Sequence, residues 1–158
     1  MTMADLETAL ELIRSRPDLS GFVGERDEAL VVVAEAALGR PLPPTYRRFV
    51  RELGAGAFRS FEVYGVIDAD FEHSAVPNGI WCTLQARRYG LPMGLILVAT
   101  AGYGGIEYVL DTTEQDEAGE CPVVIWTARG TPREEVAADF GRFLLDNIRE
   151  QLDRAEGR

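Results

Sequence analysis

The feature that most constrains the fold is a short segment with a sharp start and a sharp end, residues 42–56. It opens with Leu42-Pro43-Pro44, and proline suits the first turn of a helix because no amide donor is needed there. Apolar residues then follow at i, i+3, i+4 and i+7, the spacing of one buried helical face: Tyr46, Phe49, Val50 and Leu53. Gly54 and Gly56 end the helix, because glycine adopts left-handed conformations at little cost. The segment therefore predicts a helix that turns abruptly into the next element.

Apolar residues at helical spacing predict four further helices. They cover residues 5–14, 25–38, 78–89 and the stretch that begins at Thr131. The last one opens with Thr131-Pro132-Arg133-Glu134, which fits a capping box with proline at the first helical position. In residues 25–38 the valine run also suits a strand, but the chain continues to Leu38 without a turn signal, which favours a helix. Its apolar face comprises Ala29, Val32, Val33 and Ala36.

Four segments are predicted to be strands: residues 58–66, 95–100, 106–110 and 122–126. Short links between consecutive strands indicate antiparallel pairing, and the glycine-rich residues 101–105 suit a hairpin connection. These elements predict one α+β domain over residues 1–158, with a core of about 25–150. Its architecture would be a small, mainly antiparallel sheet of about four to six strands with helices packed around it.

The composition excludes several kinds of chemistry. All 16 basic residues are arginine, so a phosphate-loop lysine and a Schiff-base lysine are both excluded. His73 is the only candidate histidine base, and no local motif pairs it with Cys82 or Cys121. One histidine and two distant cysteines do not supply the four ligands of a zinc site. These residues therefore point to no catalytic residue, no metal and no cofactor.

Three features indicate a cytoplasmic protein with reduced thiols. The N-terminus lacks the basic and then apolar pattern of a signal peptide. The longest apolar run is too short to span a bilayer, so no membrane partner is expected. Two cysteines are too few for a disulfide framework.

The net charge of −10 is unevenly distributed. Residues 93–127 hold six carboxylates and no basic residue, whereas residues 40–66 hold five arginines against two glutamates, a local +3. An acidic surface first indicates solubility; it also disfavours nucleic acid and favours fast association with a basic protein. The predicted partner-binding residues are five of these carboxylates and an aromatic residue at the predicted turn: Tyr103, Glu107, Glu114, Asp116, Glu117 and Glu120.

The order of several short motifs resembles the SUKH superfamily, which includes a fungal regulator of cell-wall assembly and bacterial immunity proteins of polymorphic toxin systems. The resemblance runs from about residue 25 to about residue 148 and departs at Gly54-Ala55-Gly56, where relatives often carry asparagine before glycine. The motifs that carry it are Leu38-Gly39, Leu42-Pro43 with Tyr46 and Phe49, Tyr64-Gly65, Arg87 to Pro92, Asp111-Thr112, Cys121-Pro122-Val123, and Phe140 with Phe143.

This resemblance implies a non-enzymatic binding protein without shared catalytic residues. The bacterial relatives imply an immunity protein that neutralises a cognate toxin, often a nuclease, by direct binding. The fungal relatives imply the alternative, a regulatory or scaffold protein linked to cell-wall or signalling functions. A third hypothesis, a hydrolase with two carboxylates, rests only on the abundance of acidic residues. The identity of the partner and the oligomeric state stay open at this point.

Overall fold

The computed structural model describes residues 2–74, 77–100, 106–127 and 134–157, and within them the chain forms five helices and one seven-stranded sheet. The α+β class is confirmed, although the sheet is slightly larger than predicted. The helices are α1 (Thr2–Ser15), α2 (Glu28–Leu38), α3 (Pro44–Leu53), α4 (Gly79–Arg88) and α5 (Phe140–Ala155). The strands are β1 (Ser20–Phe22), β2 (Gly56–Phe58), β3 (Phe61–Val63), β4 (Leu95–Thr100), β5 (Ile106–Asp111), β6 (Val123–Thr127) and β7 (Glu135–Ala137).

The sheet is a meander in which each strand pairs antiparallel with the next one along the chain. Its long central strands are β4, β5 and β6, where Leu97 lies opposite Val109 and Val109 lies opposite Val124. These three strands were predicted because their segments are rich in apolar, aromatic and β-branched residues. The short edge strand β1 was not predicted, since three residues leave too little pattern to recognise.

The prediction of one strand over residues 58–66 is wrong. The chain reverses at Arg59-Ser60, so that Phe58 pairs with Phe61 across a tight hairpin. Arg59 has a positive φ of 52°, and its guanidinium donates to Gln151 Oε1 at 3.3 Å. The Ser60 hydroxyl donates to the same oxygen at 3.2 Å. The hairpin therefore depends on α5, which lies far away in sequence.

The predicted start of the last helix is also wrong. Residues 131–133 lie outside the described part of the chain, but Glu135–Ala137 is the strand β7, and Glu135 lies opposite Val124 of β6. The helix α5 begins only at Phe140, where the Asp139 carboxylate accepts a hydrogen bond from Arg142 N at 2.9 Å. Asp139 is thus the N-cap of α5, two residues after the end of β7.

The sheet is covered on both faces. On one face, α1, α3 and α5 bury an aromatic cluster in which the Phe140 ring lies 4.9 Å from Tyr46 and 5.3 Å from Phe49. This confirms the apolar stripe predicted for α3. On the other face, α4 packs on β4 over a smaller cluster that includes Leu97 and Val109. No helix in the described part of the chain is long and apolar enough to cross a membrane.

The turn after α3 requires glycine because backbones approach closely there. A Cβ atom on Gly65 would lie 1.8 Å from the carbonyl oxygen of Gly54. Gly56 has a φ of 154°, and a Cβ atom there would lie 2.2 Å from the carbonyl oxygen of Gly21. These contacts hold the end of α3 against β1 and against the segment that follows β3.

The helix α2 is oriented differently from what its apolar pattern suggests. The residues that it buries are Val31, Ala34 and Leu38. The predicted apolar face lies on the opposite side of the helix and is exposed, with Val32 52% and Val33 48% accessible to solvent. The periodicity did not separate the two faces because α2 is apolar on nearly all sides.

Candidate functional site

The acidic loop, residues 112–122, joins β5 to β6 and contains no basic residue. Two aspartates hold its backbone in place. Asp111 Oδ1 accepts hydrogen bonds from Thr113 N at 3.1 Å and from the Thr113 hydroxyl at 2.6 Å. Asp116 Oδ1 accepts from Ala118 N at 2.9 Å and from Glu120 N at 3.0 Å. The loop thus has a defined backbone conformation that its own carboxylates maintain.

Three of the predicted binding residues are exposed on the acidic loop: Glu114, Asp116 and Glu117. They lie within four consecutive positions on a loop whose backbone is held by side chains, so their negative charges are concentrated in one place. Asp116 also serves the loop structure, as described above. Glu114 and Glu117 are therefore the carboxylates most available to a partner.

Glu120 does not contribute to this exposed surface, because it turns inward and is only 3% accessible. Its two carboxylate oxygens accept hydrogen bonds from Thr45, Oε2 from the backbone N–H at 3.0 Å and Oε1 from the hydroxyl at 2.9 Å. Burial raises the pKa of Glu120 above its ordinary value, while the hydrogen bonds from Thr45 oppose that change. Glu120 thus has a structural role in the folded domain.

The contact between Glu120 and Thr45 also joins two helix N-termini. The N-cap of α3 is Pro43, which has no side chain able to accept a hydrogen bond, and Glu120 supplies an acceptor for the free N–H of Thr45. The Thr45 hydroxyl in turn accepts from Gly141 N, in the first turn of α5, at 3.2 Å. The sequence analysis did not identify Thr45. Because Pro43 has no side chain that can cap α3, the sequence could have indicated that a distant residue accepts the hydrogen bond from the N-terminal N–H groups of this helix.

Glu107 lies at the opposite end of β5 from the acidic loop. It is four residues before Asp111, the last residue of β5, and four residues span about 13 Å along an extended strand. It is half-buried beside Trp126 in the register of β5 and β6. Burial raises the pKa of Glu107, and its Oε2 atom accepts no hydrogen bond from the described residues. Glu107 therefore does not belong to the surface formed by the acidic loop.

The structure thus brings together three of the six predicted residues. Tyr103 lies outside the described residues, and the structure does not place it. Glu107 is separated from the exposed carboxylates by the length of β5. Glu120 is separated from them because it is buried. The candidate surface is consequently smaller than predicted and consists of the tip of the acidic loop.

Two arginines of the segment of residues 40–66 form ion pairs within the fold. Arg47 pairs with Glu28 and with Glu35, the latter at 3.3 Å, and Arg48 likewise pairs with two glutamates. Hydrogen bonds to these carboxylates raise the pKa of the Arg47 guanidinium above its ordinary value. Two of the five arginines that give the local +3 are therefore paired with carboxylates, while Arg40, Arg51 and Arg59 donate to uncharged oxygens.

The candidate histidine lies at the surface, and both candidate thiols are buried. His73 lies in an exposed loop, with Nδ1 3.6 Å from Asp70 Oδ1. Cys82 and Cys121 are both buried thiols, and burial raises their pKa values to about 12 and about 11. Within the described residues, no group of three or more His, Cys, Asp and Glu side chains is placed to hold a metal ion.

Together these features define an α+β domain with one antiparallel meander, covered by helices on both faces, and a preformed acidic loop at one end. The chain belongs to the SUKH_5 family, described as SMI1-KNR4 cell-wall, whose model matches residues 6–149. The fold is similar to that of a crystal structure of a protein from Pseudomonas syringae pv. tomato, with a TM-score of 0.61 and 21% sequence identity over 86% of this chain and 95% of that chain. No curated protein matches the chain.

Proposed function

We propose that this chain is a non-enzymatic protein-binding domain, an immunity protein that neutralises a basic toxin domain by direct binding through the acidic loop. The observation that carries the proposal is the exposure of Glu114, Asp116 and Glu117 on a backbone held by Asp111 and Asp116. Membership of the SUKH_5 family is consistent with this role. A nuclease is a suitable target because its phosphate-binding surface is basic.

The geometry of the loop suits fast binding. A concentrated negative charge steers a basic partner towards the complex and raises the association rate, most strongly at low salt. A backbone that is already ordered loses little conformational entropy when the partner binds. Both effects favour an inhibitor that must capture its target before the target acts.

The buried thiols support a role without catalysis. The thiolate is the reactive form of cysteine, and a pKa of about 12 for Cys82 leaves almost none of it at neutral pH. Cys121, with a pKa of about 11, is similarly unreactive.

The direct test is binding to, and protection from, the toxin domains encoded beside this gene. Co-expression should rescue growth, and the purified pair should form a stable complex. The double variant Glu114→Gln/Glu117→Gln should lower the association rate about three- to tenfold at low salt, because rim charges act mainly on that rate. The matched control is Glu11→Gln/Glu72→Gln, which removes two exposed carboxylates elsewhere and changes the net charge equally.

Two results would count against the proposal. The first is that no neighbouring toxin domain binds or is neutralised. The second is that a complex forms but both double variants slow association equally, since the effect would then come from net charge and not from the acidic loop. Asp116 is left unchanged in the test because its hydrogen bonds maintain the loop.

The family description favours a second candidate, a regulatory or scaffold protein linked to cell-wall or signalling functions. This role also needs a binding surface but not a toxin. Affinity purification from the native cell would separate the two candidates, because an immunity protein should return a toxin as its main partner. Recovery of cell-wall or signalling proteins without any toxin would favour the scaffold role.

A further inference from the structure

The exposed face of α2 is unusual for a helix on a protein surface. It presents four apolar side chains, all exposed, at the i, i+3, i+4 and i+7 spacing of one continuous stripe: Ala29, Val32, Val33 and Ala36. The helix packs on α3 and α4 through its other sides. A stripe of this kind normally faces a partner, since surface helices otherwise carry polar residues there.

The order of residues in the stripe is the same in both directions. Two alanines flank two valines, so the sequence is symmetric about the point between Val32 and Val33. In an antiparallel pair of helices related by a two-fold axis at this point, Val32 faces Val33 of the partner subunit, and Ala29 faces Ala36 of the partner subunit. The larger residues then meet at the centre, and the alanines at either end permit close approach of the helices.

The charges at the two ends of α2 are also complementary in this arrangement. Residues 25–28, at its start, carry three carboxylates against one arginine, and Arg47 of α3 pairs with Glu28, which leaves a net −1. Three arginines lie near its end. Arg87 donates to Leu38 O at 2.8 Å and to Met93 O at 2.9 Å, Arg40 donates to Met93 O at 3.2 Å, and Arg88 follows Arg87 and is exposed.

An antiparallel pair places the acidic start of one helix against the basic end of the other, whereas a parallel pair would place like charges together. Two large apolar side chains near the basic end, Tyr89 and Met93, are 84% and 61% exposed and would extend the contact. We propose that α2 is a self-association surface through which two copies of this chain form an antiparallel, two-fold symmetric dimer. This inference is independent of the acidic loop and of the proposed function.

Sedimentation equilibrium of the full chain tests the dimer itself. Because a pair of short helices buries less area than a standard interface, we expect a dissociation constant of about 10 to 100 μM. The variant Val32→Gln/Val33→Gln should weaken it by about tenfold or more, since it removes the central apolar contacts. The matched control Val23→Gln/Val136→Gln changes two exposed valines outside α2 and should leave the constant unchanged. Circular dichroism of each variant verifies that it is folded.

Cysteine cross-linking tests the orientation. An Ala29→Cys chain mixed with an Ala36→Cys chain should form a disulfide-linked heterodimer on mild oxidation, identified by mass spectrometry. Either variant alone should cross-link much less, and the unmodified chain supplies the background from its two buried thiols. The proposal is overturned if the chain stays monomeric up to about 1 mM, far above the expected constant, or if each variant links mainly to itself.

Discussion

Replacement of Thr45 by valine tests the network that joins the acidic loop to two helices. Valine has nearly the shape of threonine but lacks the hydroxyl group, so no cavity is created. In the folded chain this hydroxyl donates to Glu120 Oε1 at 2.9 Å and accepts from Gly141 N at 3.2 Å. All three residues are buried, so water does not readily replace either hydrogen bond.

The expected loss follows from these two contacts. The variant leaves one oxygen of a buried carboxylate without its donor, and it leaves the Gly141 N–H with only the Asp139 carboxylate as an acceptor. Each buried unsatisfied group costs about 1 to 3 kcal/mol, so the free energy of unfolding should fall by about 3 kcal/mol. For a chain of this size, the unfolding temperature should fall by roughly 6 to 12 °C. The remaining hydrogen bond from Thr45 N to Glu120 Oε2 should keep the fold intact.

Urea unfolding at neutral pH, followed by circular dichroism and by the fluorescence of Trp81 and Trp126, measures this loss. The matched control is Thr8→Val, whose hydroxyl donates only to the carbonyl oxygen of Ala4 on the exposed side of α1. The control should cost no more than about 0.5 kcal/mol. A Thr45→Val variant within about 1 kcal/mol of the control would refute the assigned role of the network, because hydrogen bonds between buried groups should cost more than that.

Two further predictions concern a carboxylate and a glycine. Burial raises the pKa of Glu107 above its ordinary value of 4.5. The protonated carboxyl therefore contributes its full share of the free energy of unfolding below pH 4.5, and this contribution is lost as the pH rises through the pKa of the folded state. Glu107→Gln should therefore increase the free energy of unfolding by about 1 kcal/mol at pH 7 and by much less near pH 4; an equal effect at both pH values would contradict this. Gly65→Ala should prevent stable folding because its Cβ would lie 1.8 Å from Gly54 O, whereas Gly21→Ala, whose Cβ would lie 3.9 Å from the nearest heavy atom, should melt near wild type. Thermal unfolding of the two alanine variants measures the difference, and similar melting temperatures would argue against the close backbone contact.

Local sequence signals were sufficient for the parts of the fold that depend on nearby residues. The helix α3 begins at its prolines and ends at Gly54, and the long strands β4, β5 and β6 coincide with segments rich in apolar and β-branched residues. The family was also recognisable, because its motifs occur in order along most of the chain. These features persist in the folded state since capping, turn formation and apolar periodicity act over only a few residues.

The two wrong predictions, the single strand over residues 58–66 and the early start of the last helix, both concern segments that contact residues distant in the sequence. The turn at Arg59-Ser60 depends on Gln151 of α5, and β7 forms because β6 offers a free edge to pair with. A pattern of seven or eight residues contains neither partner. Local propensity therefore predicted a single long strand in the first case and a helix in the second.

The candidate site divides in the same way. The sequence by itself determined that the segment of residues 93–127 is acidic and that α2 is apolar. Only the tertiary structure decided that Glu120 turns inward to Thr45 while Glu114 and Glu117 stay exposed. It also decided which face of α2 is covered and which is left open. The physical reason is that charge and hydropathy belong to single residues, whereas burial and hydrogen bonding depend on what packs against them.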